Sequence, residues 1–494
     1  MPLVGLLLVE VALRARYPWD LLMWSESPFM TNLLKLHGGE PVYSPPGDVS
    51  SFVYSPGLEY VTYALLAPVG RVLDVRFCRL VNIAIGFGAA AVAAIIAIRV
   101  ARTLAGARSG RTFGALLCGA ILVVFRNFTA DVLHPDNIQM LHATLTLLLS
   151  LEAAASRRFA LALAAVGFAA VGVWTKQVEV LAVVGAAIAV LANARWSSAR
   201  ALAIVATGAV VTAVAVAVLL ASPYARFHLL DLLLEQAWHR PMGLPKLVAA
   251  VEPFFFGHRL LLLALAVDAI RRLWRAGGEP GRRFVVAWAA VGVTTAVPCL
   301  SAYLKPMGTW NNLGLLDLWM FLPVAIVLAT RATTPVGPEF RLRRALVVAF
   351  VLALCPMKLP PTAAMYAYGE ALDGAIQADV AAGRRVLLGH GTMPLIRAGA
   401  TAVPRDRANT TLELLAAGRT AELRPMVRRF HDGFYDRIYL NSNWYDGMTL
   451  AISERYRETG AIEQAGWLPT FPWSFVLLTG HDRLLTRVAI YTPK

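Results

Sequence analysis

The chain leaves its first apolar segment and enters a long polar loop through the stretch Trp19-Asp20-Leu21-Leu22-Met23-Trp24-Ser25-Glu26-Ser27-Pro28. Tryptophan is enriched where a membrane span meets water, because its ring is apolar and its N–H is polar. Carboxylates at a membrane boundary are costly and are retained where they have a task. The stretch therefore predicts a membrane protein that places Asp20 and Glu26 at the start of its first outer loop.

The composition supports a membrane protein. Hydrophobic residues make up 57% of the 494 residues, charged residues 16%, and the mean hydropathy is +0.59. Soluble domains have about 45–50% apolar and about 25% charged residues. The net charge of +15 comes mainly from arginines in short loops between apolar segments, so it indicates membrane topology and no nucleic-acid partner. The four cysteines lack metal-ligand spacing and are interpreted as core residues.

Apolar segments predict about eleven transmembrane helices. The first segment, Leu3 to Leu13, is short for a span, which needs about 20 residues, and this favours an apolar extension upstream of Met1. The other predicted spans cover residues 77–98, 112–126, 137–154, 159–173, 178–194, 200–221, 254–270, 284–302, 313–330 and 345–358.

The charged residues assign sides to the connections. Every second connection is rich in arginine, and these arginines are Arg99, Arg102, Arg108, Arg111, Arg157, Arg158, Arg195, Arg200, Arg271, Arg272, Arg275, Arg282, Arg283, Arg331, Arg341, Arg343 and Arg344. The alternate connections carry Glu26, Asp131, Asp136, Lys176, His239, Arg240 and Lys305. Basic loops stay in the cytoplasm, so the second group shares the outer face of the cytoplasmic (inner) membrane. An odd number of spans also places the C-terminal tail outside.

Two regions are predicted. Residues 1–360 form a transmembrane domain with a first outer loop at about 17–75, in which Ser27 to Leu36 reads as a short helix with Pro28 at its first turn. Residues 361–494 form a small extracytoplasmic α/β domain. Its predicted elements are strands at 385–389 and 436–440 and helices at 408–416 and 448–457.

The residues of the outer face suit one type of chemistry. Acids come from two loops, Asp20 and Glu26 from the first and Asp131 and Asp136 from the second, while cations come from three others. Sugar transfer from a lipid phosphate needs a carboxylate that takes the proton of the acceptor. It also needs cations that neutralise the departing phosphate. Asp131 is interpreted as a solvated loop residue.

The order of these motifs resembles the GT-C superfamily of polytopic glycosyltransferases, especially aminoarabinose transferases and protein O-mannosyltransferases. In that family an acid precedes a short helix in the first outer loop, and a glycine and an aromatic residue follow. The motifs that carry the resemblance are Glu26 with Pro28 to Leu36, Gly39 and Tyr43, then His134-Pro135-Asp136-Asn137, Thr175-Lys176-Gln177, Phe227 to Arg240, and Ser301 to Lys305. The family usually has Asp in the first motif and Gly where Gln177 stands, so Asp20 and Glu26 both remain candidates.

The resemblance implies an inverting transfer from a polyprenyl-phosphate sugar to a glycolipid, polysaccharide or protein acceptor. Glu26 or Asp20 would be the general base, and Asp136 would share the site. Lys176, His239, Arg240 and Lys305 would bind the donor phosphate. The resemblance also allows a divalent metal, Mg²⁺ or Mn²⁺, held by Glu26 and Asp136.

Structural roles remain open for the same residues. Glu26 would stabilise the N-terminus of the following helix. Lys176 would extend its ammonium toward the interface or pair with Glu179. A transporter is one alternative function, and a non-catalytic protein of polysaccharide assembly is another. Transporters place ionisable residues near the membrane midplane, whereas the acids of this chain cluster in its loops, which favours the enzyme.

Overall fold

A computed structural model describes most of the chain. The described residues are 2–21, 26–105, 110–127, 129–235, 258–304, 310–331, 360–389, 393–399, 414–415, 417–441, 446–463 and 487–494. Within these ranges the chain is mainly helical, and a small sheet forms near the C-terminus. The prediction of a polytopic helical membrane protein with a small C-terminal α/β region is confirmed.

The membrane region is a bundle of antiparallel and crossing helices. Its described helices are α1 (Pro2–Ala15), α4 (Val75–Ala105), α5 (Gly110–Arg126), α6 (Asp136–Ser156), α7 (Phe159–Ala170), α8 (Ala182–Asn193), α9 (Ser198–Leu219), α12 (His258–Ala276), α13 (Gly278–Tyr303) and α14 (Gly314–Arg331). Among the described helices, five are long and apolar enough to cross a membrane. Three shorter apolar helices accompany them, at Thr112–Arg126, Phe159–Trp174 and Gln177–Asn193.

The predicted spans coincide with these helices wherever the structure describes them. The prediction at 254–270 corresponds to α12 from His258 onward, but the helix continues to Ala276. This extension is polar, and it is supported by an ion pair one turn apart between Arg272 and Asp268, 2.7 Å. The predicted span 345–358 lies outside the described residues, as does most of the interval before residue 360, so the count of eleven spans and the domain boundary stay predictions.

Helix α4 lies at the centre of the bundle and packs against α5, α6 and α14. Its inner surface is lined with small residues such as Ala90, Ala93 and Ala97, which are fully buried and allow close helix approach.

Two tryptophans form reciprocal hydrogen bonds between α13 and α14. The indole N–H of Trp288 donates to the carbonyl of Trp319 at 2.9 Å, and that of Trp319 donates to the carbonyl of Trp288 at 3.0 Å.

The first loop contains two helices, α2 (Ser27–His37), which agrees with the predicted short helix at Ser27 to Leu36, and α3 (Gly57–Leu66). Pro28 lies in the first turn of α2, and the chain turns at Gly38 and Gly39 after the helix. A later outer segment forms α10 (Pro223–Arg226), a π-helical turn (Phe227–Asp231) and α11 (Leu232–Glu235).

The tail contains a four-stranded mixed sheet. Its strands are β1 (Val386–Leu388), β2 (Arg437–Asn441), β3 (Tyr456–Glu463) and β4 (Arg487–Pro493), arranged in the order β1-β2-β4-β3. Strands β1 and β2 are parallel, with Leu387 opposite Ile438, and the other pairs are antiparallel. Its helices are α15 (Ala363–Ala381), α16 (Met393–Arg397), α17 (Arg424–His431) and α18 (Asp446–Arg455).

The predicted strands at 385–389 and 436–440 agree with β1 and β2. The predicted helix at 448–457 is wrong at its end, because Tyr456 starts β3 and pairs with Pro493 instead of continuing the helix. The buried Tyr456 side chain packs beside Phe430 under the sheet, which explains the change of direction. Of the predicted helix at 408–416, only residues 414–415 are described, and both are helical.

The tail lies against the first loop, at the same end of the bundle. The hydroxyl of Tyr17 donates to the carbonyl of Met365 at 3.1 Å, and the guanidinium of Arg397 lies 5.2 Å from the Trp19 ring. Gly369 on α15 faces the same indole so closely that an added Cβ would lie 2.5 Å from a Trp19 ring carbon. The placement agrees with the prediction that loop and tail share one side.

This close approach makes Gly369 sensitive to substitution. We expect Gly369→Ala to lower the melting temperature of the purified full chain, because the new methyl group pushes the Trp19 ring out of place and overpacking costs about 1–3 kcal/mol. The matched control is Gly374→Ala on the same helix, where nothing lies within 4 Å of the added methyl group. The control should be neutral or slightly stabilising. Equal melting temperatures for the two variants would contradict the packing of α15 on Trp19.

Candidate active site

Glu26 is fully buried and its carboxylate is saturated with donors. Oε1 accepts from Arg79 Nε at 2.7 Å and from the backbone N–H of Leu133 at 2.9 Å. Oε2 accepts from Arg79 Nη2 and from the backbone N–H of Leu21 at 2.9 Å. An ionised carboxylate offers about four acceptor positions, so this arrangement occupies them all. Glu26 therefore joins the first loop to α4 and to the second outer loop.

Asp20 performs the capping role that the sequence left open for Glu26. Its Oδ2 accepts the backbone N–H of Glu26 at 3.1 Å and that of Ser27 at 3.0 Å, at the start of α2. The Glu26 side chain makes no capping hydrogen bond. A carboxylate at a helix N-terminus satisfies free N–H groups and interacts favourably with the helix dipole. The structure thus brings the two candidate acids together, each with a defined structural contact.

Arg79 provides the positive charge for this loop. Besides Glu26, its guanidinium donates to the backbone carbonyls of Tyr17 and Trp19 and to that of Arg14 at 3.3 Å. Sequence reasoning missed Arg79, which lies inside the predicted span 77–98. The available signal was its position, because an arginine within an apolar span requires a buried partner.

Asp131 is buried, so its interpretation as a solvated loop residue is wrong. Its Oδ2 accepts from Arg14 Nε at 2.6 Å, and both side chains are inaccessible to solvent. This ion pair fixes the end of α1 to the second outer loop. A buried charge needs such a partner, because desolvation without one is strongly unfavourable.

The second cluster contains Asp136 and Lys176, as the sequence predicted. Lys176 Nζ lies 3.0 Å from Asp136 Oδ1 and donates to Asn312 Oδ1 at 3.2 Å. Asp136 Oδ2 accepts from the hydroxyl of Thr129 and lies 2.9 Å from His134 Nδ1. The predicted alternative pairing of Lys176 with Glu179 does not form, since Glu179 faces Gln139 and His142 instead.

The geometry of the bundle explains why these residues meet. Asp136 begins α6, Lys176 lies at the turn between α7 and α8, and Asn312 immediately precedes α14. Lys176 adopts an extended conformation between two short 3₁₀ helices, Val171–Trp174 and Gln177–Leu181. The residues assigned to the outer face are therefore gathered at one end of the bundle.

Lys176 is 5% exposed and retains donor capacity. Its ammonium carries three N–H groups. Two are directed to Asp136 and Asn312, and among the described residues no acceptor binds the third. A buried ammonium with one unused N–H, beside a carboxylate, is suited to bind an oxygen of an anionic ligand.

Three other buried polar residues were missed, two in the first loop and one in the π-helical turn at Phe227–Asp231. Lys35 is buried and donates to the carbonyl of Val42 at 3.0 Å and the hydroxyl of Ser44 at 2.9 Å, and burial lowers its pKa to about 8. His228 Nε2 lies 3.1 Å from the carbonyl of Ser44, and burial lowers the pKa of His228 to about 4. Glu59 is buried on α3 and accepts from Asn32 Nδ2 at 2.7 Å. Burial raises the pKa of Glu59 to about 7.

The residues suggested for a metal do not fit a shared ion in this arrangement. Glu26 has its acceptor positions filled by Arg79 and two backbone N–H groups, and Asp136 faces Lys176, Thr129 and His134. Within the described ranges, no group of three or more His, Cys, Asp or Glu side chains is arranged to hold a metal. His239, Arg240 and Lys305 lie outside the described residues, so their phosphate-binding role stays a prediction.

The ion pair of Glu26 allows a direct test. We expect Arg79→Leu to destabilise the folded chain by about 3–5 kcal/mol, because it leaves the Glu26 charge buried without a partner. The control is Arg76→Leu, which breaks the partly exposed pair with Asp74 on the same helix and should change stability by less than about 1 kcal/mol. Thermal unfolding of both purified variants measures the difference. A small effect of Arg79→Leu would show that Glu26 is not held as described.

Glu59 predicts a dependence of stability on pH. Its folded pKa, about 7, exceeds the ordinary value of 4.5, so the folded state retains a proton that the unfolded chain releases. This contribution is complete below about pH 4.5 and is lost as the pH rises through about 7, on the order of 3 kcal/mol. We expect Glu59→Gln to flatten this decline in melting temperature between pH 5 and pH 8. The exposed Glu40→Gln should leave the profile unchanged, and a profile of Glu59→Gln equal to that of the wild type would contradict the assignment.

Among solved structures, the chain is similar to the one described below. No family model and no curated protein matches the chain. The crystal structure of ArnT from Cupriavidus metallidurans in the apo state is similar at 15% sequence identity and a TM-score of 0.44, over 87% of this chain and 79% of that chain. ArnT is an aminoarabinose transferase. The likeness concerns the fold, and the roles given to residues of this chain stand on its own contacts.

Proposed function

We propose that this protein is a membrane glycosyltransferase. It moves a sugar from a polyprenyl-phosphate donor to a lipid, polysaccharide or protein acceptor at the outer face of the cytoplasmic membrane, with inversion at the anomeric carbon. One observation carries the proposal. The buried ammonium of Lys176 lies beside the carboxylate of Asp136 at the loop-bearing end of the bundle, and no acceptor among the described residues binds its third N–H.

Lys176 is the group that receives the donor phosphate. Its third N–H donates to a phosphate oxygen, and its charge stabilises the negative charge that grows on the phosphate as the sugar departs. A buried ammonium is effective here because the low local polarity strengthens the interaction. His239, Arg240 and Lys305 are proposed to complete the phosphate site.

Asp136 is the carboxylate best placed to act as the general base. Its Oδ1 is engaged only by Lys176 among the described residues. A carboxylate oxygen has two acceptor positions, so Oδ1 retains one for the proton of the acceptor while Lys176 occupies the other. The acceptor oxygen or nitrogen then bonds to the anomeric carbon, the bond from that carbon to the phosphate oxygen breaks with its electron pair going to the phosphate, and the acceptor proton passes to Asp136.

Glu26 and Asp20 take positioning roles in this proposal. Both were candidates for the base, but the four donors around Glu26 leave no acceptor position for a proton, and Asp20 holds the N-terminus of α2. Through the N–H of Leu133, Glu26 fixes the segment that leads to Asp136. The proposal uses no metal step, because the acids suggested for a metal are bound to cations and N–H groups of the chain.

The distribution of buried charges favours this proposal over a transporter. In the described part of the bundle, the ion pairs of Glu26, Asp131 and Asp136 lie at the end that carries the first loop, and the contact of His142 with Glu179 lies less than two helical turns farther along α6. The pair of Arg259 and Asp317, at 2.9 Å, joins the first turns of α12 and α14 at the same end. A transporter would be expected to concentrate such residues near the midplane. A non-catalytic assembly protein remains an outcome of the test below.

The test is transfer from radiolabelled polyprenyl-phosphate sugars by the purified full chain. We expect Asp136→Asn to reduce turnover by about a hundredfold or more, since general-base catalysis contributes about 10²–10⁴-fold. Lys176→Met should abolish transfer and weaken donor binding as well. The same reactions run with and without chelator measure metal dependence independently.

The control is Asp74→Asn, which removes an acid from a partly exposed pair at the start of α4 and should retain full activity. Melting temperatures show that each variant is folded. Transfer by the wild type that survives in folded Asp136→Asn would overturn the assignment of the base. If the wild type transferred sugar from none of the donors, the result would contradict the glycosyltransferase proposal and favour a transporter or an assembly protein.

A further inference from the structure

Helix α6 carries a row of polar side chains that extends from the candidate site into the bundle. Asp136, Gln139 and His142 are three residues apart and therefore share one face of the helix. All three are buried. Asp136 contacts Lys176, whereas Gln139 and His142 both contact Glu179, which follows Lys176 by three residues. Neither Glu179 nor His142 has a role in the transfer chemistry proposed above.

Glu179 is fully buried and bound through both oxygens. Its Oε1 accepts from Gln139 Nε2 at 2.8 Å, and its Oε2 lies 3.2 Å from His142 Nδ1. The other nitrogen of the imidazole, Nε2, lies 3.1 Å from the carbonyl oxygen of Phe168. The His142 ring thus joins Glu179 on one side to the end of α7 on the other.

The contacts determine how many protons this pair holds. A carbonyl oxygen only accepts, so His142 Nε2 carries a hydrogen and donates it to Phe168. The contact between Nδ1 and Oε2 then requires one proton between the two atoms, on either the imidazole or the carboxyl group. The bond to Phe168 therefore has a fixed direction, and the bond between Nδ1 and Oε2 forms whichever of these two atoms carries the proton.

Packing holds the ring in place. A Cβ at Gly172 would lie 2.3 Å from His142 Cε1, so the backbone of the 3₁₀ turn rests directly on the imidazole. The carbonyl of Gly172 accepts from Thr175 N at 2.8 Å and from Lys176 N at 3.2 Å. The imidazole therefore supports the same turn that presents Lys176, while Glu179 anchors that turn from its other side.

We propose that Glu179 and His142 are positioning residues that set the direction of the Lys176 ammonium toward the donor phosphate. The inference rests on the proposed function, because it assumes that Lys176 binds that phosphate. Without the two bonds of Glu179, the described hydrogen bonds between this turn and α6 reduce to that of Lys176 with Asp136. The contact with Asp136 then determines the orientation of Lys176, and the N–H that would face the phosphate no longer has a fixed direction.

Two pairs of variants of the full chain test this inference. Glu179→Leu removes both bonds, while Glu179→Gln keeps them, because the amide oxygen accepts from Gln139 and the amide nitrogen donates to Nδ1 of a neutral His142. Gly172→Ala displaces the imidazole without removing any polar group. Its control is Gly167→Ala on α7, where nothing lies within 4 Å of the added methyl group.

The measurements are the affinity for a synthetic polyprenyl phosphate and the KM and kcat for the sugar donor. We expect Glu179→Leu and Gly172→Ala to weaken polyprenyl-phosphate binding and raise KM by about tenfold to a hundredfold, since small misplacements have effects of this size. We expect kcat at saturating donor to fall less than KM rises. Glu179→Gln and Gly167→Ala should stay within about twofold of the wild type, because both preserve the support of the turn.

The outcomes separate this inference from the proposed function. Wild-type transfer combined with unchanged donor KM in folded Glu179→Leu would overturn the positioning role alone. If Glu179→Gln is as impaired as Glu179→Leu, the charge of Glu179 is what matters, and the positioning role is also overturned. If the wild type transfers no sugar but binds polyprenyl phosphate, the proposed function fails and the binding data still decide the inference. Absence of that binding in the wild type would overturn both.

Discussion

The buried ion pair between Glu26 and Arg79 is the constraint on which the loop-bearing end of the bundle depends. Removing both charges from water is strongly unfavourable, and the pair persists because backbone N–H and carbonyl groups complete its hydrogen bonding. Those backbone partners belong to the first loop, to the end of α1 and to the second loop. One ion pair therefore determines the relative positions of the start of the chain, α4 and the second loop, which are far apart in sequence.

The candidate site depends on this arrangement indirectly. Glu26 binds the backbone N–H of Leu133, and Asp136 follows only three residues later. Fixing Leu133 therefore restricts the position of the carboxylate that faces Lys176. Lys176 is held from its own side by the turn between α7 and α8. Separate segments thus hold the acid and the cation, and the pair stays buried while one N–H of the ammonium has no acceptor within the described part of the chain.

The sequence predicted the apolar helices that the structure describes and placed Asp136 and Lys176 in one site, because hydropathy and charge placement are local properties that survive folding. It did not predict the partners of Glu26 and Asp131. Arg79 lies 53 residues from Glu26, and Arg14 lies 117 residues from Asp131, so no local pattern links them. The capping role was left open for Glu26, whereas Asp20 performs it with the N–H groups of residues six and seven positions later.

The contact between Tyr17 and Met365 joins residues 348 positions apart. During synthesis the first loop emerges early, whereas α15 is made only after the bundle helices between them. Trp19 therefore packs against Gly369 only after the last part of the chain has been synthesised. Contacts of such long range form late in folding. Completion of the outer surface is consequently coupled to completion of the polypeptide, and a chain released before α15 would carry its first loop without its cover.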